Sequence, residues 1–215
     1  MKIGNLYILG DSFSTFRGAI PEGHAYWYSN NPKNDNDVCA IEHTWWNKLI
    51  SATDSKLVLN DSYSGTTICN TGYNGEDCSD KSFIARMDKK IAEGFFVKNK
   101  LDTIMIFGGT NDHCAKSPLG ELEYLDFDED NLKEVLPAFC YMLMRLKWNS
   151  YDTRIIAIIS EALGEEMKEG FKTACEEFDV EYILLDNISK SSNHPNIEGM
   201  QSIYEQVLAY LESKT

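Results

Sequence analysis

A three-layer α/β/α sandwich around a parallel sheet of about five strands is the fold class this sequence predicts, and three observations predict it. Strand-like and helix-like segments alternate along the chain. The strand-like segments are nearly continuous in apolar residues, without the polar alternation of a sheet that has one wet face, so both faces must be covered. Three long irregular stretches each follow a predicted strand, and in a parallel sheet that gathers them at the carboxyl edge, where open α/β sheets bind ligands.

Taken in order, Leu6 to Leu9 is a short apolar strand. Thr44 can cap a helix carrying Trp45, Trp46, Leu49 and Ile50. Lys56 to Leu59 reads as a second strand. Ser82 to Phe95 is amphipathic, with Phe83, Ile84, Met87 and Ile91 at helical spacing. Thr103 to Phe107 is a third strand. Asp130 to Leu146 is a long helix in which Pro137 implies a kink or a restart. Arg154 to Ile159 is a fourth strand, Leu163 to Phe178 a helix, Val180 to Leu185 a fifth strand and Ile197 to Leu211 the closing helix. The irregular stretches are Arg17 to His43, Asp61 to Lys81 and Gly108 to Asp128. No repeat or low-complexity segment divides the chain, and 215 residues suit one domain, 1–215.

Bulk properties narrow the function classes. Twenty basic against 34 acidic side chains give a net charge of −14, which repels phosphate backbones and anionic lipid heads, so nucleic-acid and membrane-surface partners are disfavoured. The opening MKIGNLYILGDS is broken by Gly4 and Asn5 and reads as a strand rather than a signal peptide. A cytoplasmic location is the expectation, with export open should a leader have been removed. No apolar run reaches bilayer-spanning length. The six cysteines are scattered without a CxxC pair, as expected of reduced thiols, although Cys69 and Cys78 flank a loop and could pair in an exported protein. Pairings such as Cys39 with His43, or His113 with Cys114, lack a second close-spaced pair to complete a tetrahedral set, so neither a metal nor another cofactor is expected.

The polar residues at the predicted strand ends carry the chemistry. Gly10-Asp11-Ser12-Phe13-Ser14 follows the first strand. By itself it fits a turn and a helix cap, or a serine projected from the sheet rim. NDSYSGTT (60–67) follows the second strand and presents Gly65 in a polar turn. GGTND (108–112) follows the third. His194-Pro195-Asn196 precedes the last helix. Each alone is an ordinary turn or helix entry; together they form an ordered set.

That set resembles the SGNH, or GDSL, hydrolase superfamily, matching its four signature residues with Ser12 in GDSFS, Gly65 in SYSGTT, Asn111 in GGTND and His194 in NHPN. The match spans nearly the whole chain. The wider pattern of IPEGHAYWY, HTWWNKLI, SYSGTTICNTGYNG and PAFCYML is similar to a bacterial subgroup that names no substrate. The resemblance implies the flavodoxin-like SGNH hydrolase fold and a serine esterase in which Ser12 is the nucleophile and His194 its general base. It also implies an oxyanion hole from the Ser12 and Gly65 backbone N–H groups and the Asn111 amide. The residue types suit this chemistry, because a serine hydroxyl needs a neighbouring imidazole to take its proton and return it to the leaving alcohol.

One departure matters. The family usually has an aspartate three residues before the histidine, and here that position is Ser191. Ser191 could orient His194 through its carbonyl or hydroxyl, Asp186 could reach in from the end of the fifth strand, another backbone carbonyl could serve, or the site could be weakened. The dyad with Ser191 is preferred, because the base needs a fixed tautomer more than a full charge beside it.

For the substrate, Tyr26, Trp27 and Tyr28 in the first irregular stretch could stack on sugar rings, or simply pack. Of Trp45 and Trp46, one is expected in the core. Glu161 and Asp112 lie on the predicted rim as structural hydrogen-bonding groups; His113 has no assigned role, and His24 and His43 read as structural. Polar loops rich in Asn, Asp and Gly favour a small polar ester, with an O-acetyl carbohydrate as the leading example. A lipid esterase or thioesterase, or a non-catalytic binding module that keeps the motifs, are the alternatives. A nucleotide-binding domain ranks last for want of a phosphate-cradling GxxxxGK[ST] loop. Acyl group, alcohol and oligomeric state are not legible.

Overall fold

The computed structural model describes residues 3–32 and 35–214; positions 33 and 34, inside the first long loop, lie outside the described residues. Strands β1 (Asn5–Gly10), β2 (Lys56–Ser62), β3 (Thr103–Phe107), β4 (Arg154–Ile159) and β5 (Glu181–Leu184) form a parallel sheet in the order β2-β1-β3-β4-β5. Side chains alternate across it. Tyr7, Leu9, Ile104, Ile106, Ile155 and Ala157 pack on one face, against helices α2 (Phe83–Ala92), α5 (Val135–Asn149) and α6 (Glu165–Glu177). Leu6, Ile8, Met105, Phe107, Ile156 and Ile158 pack on the other, against α1 (Trp45–Thr53) and α7 (Ile197–Ser213). Burial on both faces is why consecutive strand positions are apolar.

The chain leaves β1 toward α1 on one face and leaves β3 toward α5 on the other. The carboxyl ends of β1 and β3 therefore flank a topological switch point, the crevice where sheets of this kind bind ligands.

Several elements differ from expectation for local reasons. Strand β2 runs on through Asn60, Asp61 and Ser62, which are polar yet buried at the strand end. The helix expected through Phe95 stops at Ala92; Gly94 takes a left-handed φ of +69°, and a short helix α3 (Phe95–Lys98) restarts after it. The long helix expected from Asp130 begins at Val135, after a 3₁₀ turn at Asn131–Lys133 and an extended Glu134; Pro137 is the third residue of α5, inside the first turn where its missing N–H costs no helical hydrogen bond, so of the two expected outcomes the chain takes the restart and not the kink. A helix α4 (Thr110–Ala115) occupies the head of a stretch expected to be irregular. A two-stranded hairpin of β6 (Lys190–Ser191) and β7 (His194–Pro195) precedes α7. Trp45 and Trp46 are both buried, not one alone.

All six cysteines are free thiols, Cys69 and Cys78 among the buried ones. Among the described residues no helix is long and apolar enough to cross a membrane.

Candidate active site

Ser12 sits one residue beyond Asp11, where β1 ends at the switch point. Gly10 closes this turn tightly: a Cβ there would stand 2.5 Å from Ser62 Oγ and 2.9 Å from Ser14 Cβ. The turn continues as a single 3₁₀ turn, Ser12–Ser14, capped by Asp11, whose Oδ1 accepts from the Phe13 N–H at 2.9 Å. The cap is thus Asp11, which leaves the Ser12 hydroxyl free for another partner. That partner is His194: Ser12 Oγ and His194 Nε2 are 2.9 Å apart, although 182 residues separate them in the chain.

The β6–β7 hairpin delivers the imidazole. Its two turn residues, Ser192 and Asn193, have φ of +51° and +61°, the positive values that a two-residue hairpin turn of the primed type requires. The turn puts the Ser192 carbonyl 3.1 Å from His194 Nδ1. A carbonyl only accepts, so Nδ1 carries the proton, and the Nε2 lone pair faces the Ser12 hydroxyl. This corrects both expected orienting groups. Ser191 pairs with His194 across the hairpin, and its carbonyl is turned instead toward the Asn36 amide, 3.2 Å away. Asp186 is exposed, and its backbone is engaged by the Gln206 side chain.

Outside groups hold the hairpin in place. Glu161, at the end of β4, accepts from the Ile188 N–H at 3.1 Å and from Lys190 Nζ at 3.5 Å. From the first insertion, the Tyr28 hydroxyl donates to the Pro195 carbonyl at 2.8 Å, and Asn36 Nδ2 reaches the carbonyls of Ser191, His194 and Pro195.

The donors expected for an oxyanion are assembled nearby. Gly65 has φ +81°, and a Cβ at this position would meet nothing within 4 Å, so glycine serves the backbone angle rather than space. Neither its N–H nor that of Ser12 has an acceptor among the described residues. Asn111, in the first turn of α4, donates from Nδ2 to the Thr66 carbonyl at 3.0 Å and keeps a second Nδ2 hydrogen. Its Oδ1 accepts from the Tyr73 hydroxyl at 3.0 Å, which fixes the orientation of the amide.

Arg86 of α2 ties these pieces together. It is almost fully buried and donates to the Gly10 carbonyl at 3.1 Å, to Thr66 Oγ1 at 3.3 Å and to both the backbone and the carboxylate of Asp61. One guanidinium thereby spans the Gly10–Ser12 turn, the end of β2 and the Gly65–Thr66 turn. Asp112 holds the following residues by accepting from the N–H groups of Ile68 and Cys69.

Burial perturbs the acids here. It raises Asp11 to about 7, against the opposing pull of the Phe13 N–H, and the charge of Asp112 adds to the rise. Burial likewise raises Asp112 to about 6. Asp11 Oδ2 is buried without a hydrogen-bond partner among the described residues. Burial lowers the His194 imidazole below the ordinary histidine value; the Ser192 carbonyl opposes this and the Lys190 charge adds to it.

The three aromatics of the first insertion separate. Tyr26 is exposed, with its ring 5.5 Å from the Arg17 guanidinium carbon. Trp27 lies flat on His194, centroids 3.6 Å apart and planes at 8°. Tyr28 is buried. His113 Nδ1 accepts from the Gly164 N–H; His24 stacks on Tyr63. Sequence reasoning missed Ser192, Tyr73 and Arg86. The first acts through its carbonyl, which no side chain announces, and the other two lie in segments that read as loop and amphipathic helix. No group of three or more His, Cys, Asp or Glu among the described residues is arranged to hold a metal ion.

The model of the GDSL-like lipase/acylhydrolase family matches residues 4–211. A GDSL-like lipase candidate from Bacteroides ovatus is 38% identical, with a TM-score of 0.92 over 99% of this chain and 100% of that one. A second, from Bacteroides uniformis, is also 38% identical, with a TM-score of 0.90 over 98% of this chain and 96% of that one. An acetyl xylan esterase from Butyrivibrio proteoclasticus shares the fold at 18% identity, with a TM-score of 0.63 over 100% of this chain and 64% of that one. No curated protein matches the chain.

Proposed function

The chain belongs to the GDSL-like lipase/acylhydrolase family, and we propose that it is a serine esterase for short-acyl esters of small polar alcohols, O-acetylated carbohydrates first among them. The observation that carries this reading is the 2.9 Å approach of His194 Nε2 to Ser12 Oγ.

In this mechanism Nε2 takes the hydroxyl proton as Ser12 Oγ bonds to the ester carbonyl carbon. The carbonyl oxygen becomes an anion and is met by the free N–H groups of Ser12 and Gly65 and by the second Nδ2 hydrogen of Asn111. The C–O bond to the alcohol then breaks, and the imidazolium returns its proton to the departing oxygen. Water, deprotonated by His194, next attacks the acyl carbon, and Ser12 leaves with that proton. The carboxylic acid and the free enzyme result, with no cofactor consumed.

Support for a polar alcohol comes from the rim, where Tyr26 and Tyr73 are exposed on loops rich in Asn, Asp and Gly. A fold shared with an acetyl xylan esterase agrees with this. The test is a panel of acetylated sugars, longer-acyl p-nitrophenyl esters and acyl thioesters, each assayed with the wild type and Ser12→Ala. Turnover of acetylated sugars that disappears in Ser12→Ala is the expected result. Preference for long acyl chains would move the reading to a lipid esterase. Absence of fluorophosphonate labelling at Ser12 would remove the hydrolase mechanism.

A further inference from the structure

His194 has a backbone carbonyl and no carboxylate on Nδ1, and its ring is packed among aromatic side chains. One face of the imidazole is covered by the Trp27 indole at 3.6 Å and 8°. Phe13 meets the ring edge-on at 5.4 Å and Tyr28 at 6.4 Å. Nothing can slide between two rings so close, so the indole face turned to His194 is no platform for a sugar. The Trp27 backbone is anchored to the nucleophile's own residue: its N–H donates to Thr15 Oγ1 at 2.9 Å, and Thr15 Oγ1 donates to the Ser12 carbonyl at 3.0 Å. The indole Nε1 is buried without a hydrogen-bond partner among the described residues, so the ring is held through its faces and not through its N–H.

We propose that Trp27 is a positioning residue for His194, its π face taking the part that a carboxylate plays in a triad. It fixes the ring plane that aims Nε2 at Ser12 and stabilises the imidazolium formed when the proton transfers. The Ser192 carbonyl sets the tautomer but offers only a partial charge. An aromatic face attracts a cation through its quadrupole, most strongly where water is excluded. The assignment rests on the Ser12–His194 reading given above.

Other groups that could tune the imidazole are in place and would stay so in a Trp27 variant. They are Lys190 on the same hairpin, paired with Glu161, and the Tyr28 phenol, committed to the Pro195 carbonyl.

Trp27→Leu keeps apolar cover and removes the π face. With p-nitrophenyl acetate, kcat should fall about 10- to 100-fold while KM changes little, the pattern of lost orientation. The acid limb of kcat/KM should move about half a pH unit lower, as the imidazolium loses support. Site-specific tetrafluorotryptophan at position 27 keeps the shape and weakens the quadrupole; it should shift the limb in the same direction with an unchanged circular dichroism spectrum. If Leu raises KM but spares kcat, or if the fluorinated ring leaves the limb where it was, the assignment is overturned. Ser12→Ala run alongside separates the two ideas: retained activity there defeats the nucleophile reading, whereas an inactive Ser12→Ala beside an unimpaired Trp27→Leu defeats only the role given to Trp27.

Discussion

His194 Nδ1 donates to the carbonyl of Ser192, two residues earlier and across the turn of one hairpin, at 3.1 Å. The residue three before the histidine, where an acid is usual in this family, pairs across the strands instead. The orienting group is thus supplied by backbone geometry, and side chains upstream should matter little. Asp186→Asn and Ser191→Ala are each expected to keep kcat/KM within about threefold of wild type, the scale of substitutions that touch no reacting group. A loss in Asp186→Asn as deep as in His194→Ala, in the same ester assay, would mean that the carboxylate reaches the imidazole in solution.

Asn111 and Tyr73 form a donor and its brace. Asn111→Ala should lower kcat about 10²–10³-fold, the usual consequence of removing one oxyanion donor. Tyr73→Phe deletes the hydroxyl that holds Asn111 Oδ1 and should cost about tenfold, mostly in kcat, by loosening the orientation of that donor. Steady-state kinetics on p-nitrophenyl acetate check both.

The imidazole must be neutral to act as base, and burial holds it below the ordinary histidine value. Activity should therefore persist to lower pH than an unperturbed histidine allows, with the acid limb of kcat/KM centred below about pH 6.5. A pH–rate profile centred above that value would contradict the desolvated site.

Asp11 binds its proton more tightly folded, at about 7, than an unfolded aspartate does at about 3.9. Between those values the native state holds more protons than the unfolded one, so this group's contribution to stability is full below pH 4 and declines as pH rises through 7. Asp11→Asn should remove that decline. Chemical denaturation at a series of pH values between 4 and 8 should show a flatter profile for the variant between about pH 4 and 7.

Arg86 carries the clearest stability prediction. Arg86→Met would leave Asp61, buried at 1% exposure, without its guanidinium partner and would take one of two donors from the Gly10 carbonyl, which keeps the Tyr63 N–H. Breaking a buried pair from one side typically costs about 3–5 kcal/mol. Urea unfolding should read a loss of that order. An accompanying drop in kcat in the protein that remains folded would reflect slippage between the Ser12 turn and the Gly65 turn.

The order of strands and helices, and the polar turns that carry Ser12, Gly65, Asn111 and His194, were legible from the chain because they are local. Apolar continuity marks a strand buried on both faces, and polar turns with glycine mark where strands end. The same locality explains the misjudged details. Gly94 acts through backbone conformation that periodicity does not weigh, and Ser192 contributes a carbonyl that every residue possesses. That Ser12 and His194 would come within 2.9 Å of each other, that Trp27 would lie on the imidazole instead of facing a ligand, and that one arginine would link three turns were settled only by the fold. Those contacts join segments separated by 20 to 182 residues, and a contact of that range depends on how the sheet stacks its strands, not on any pattern in the neighbouring sequence.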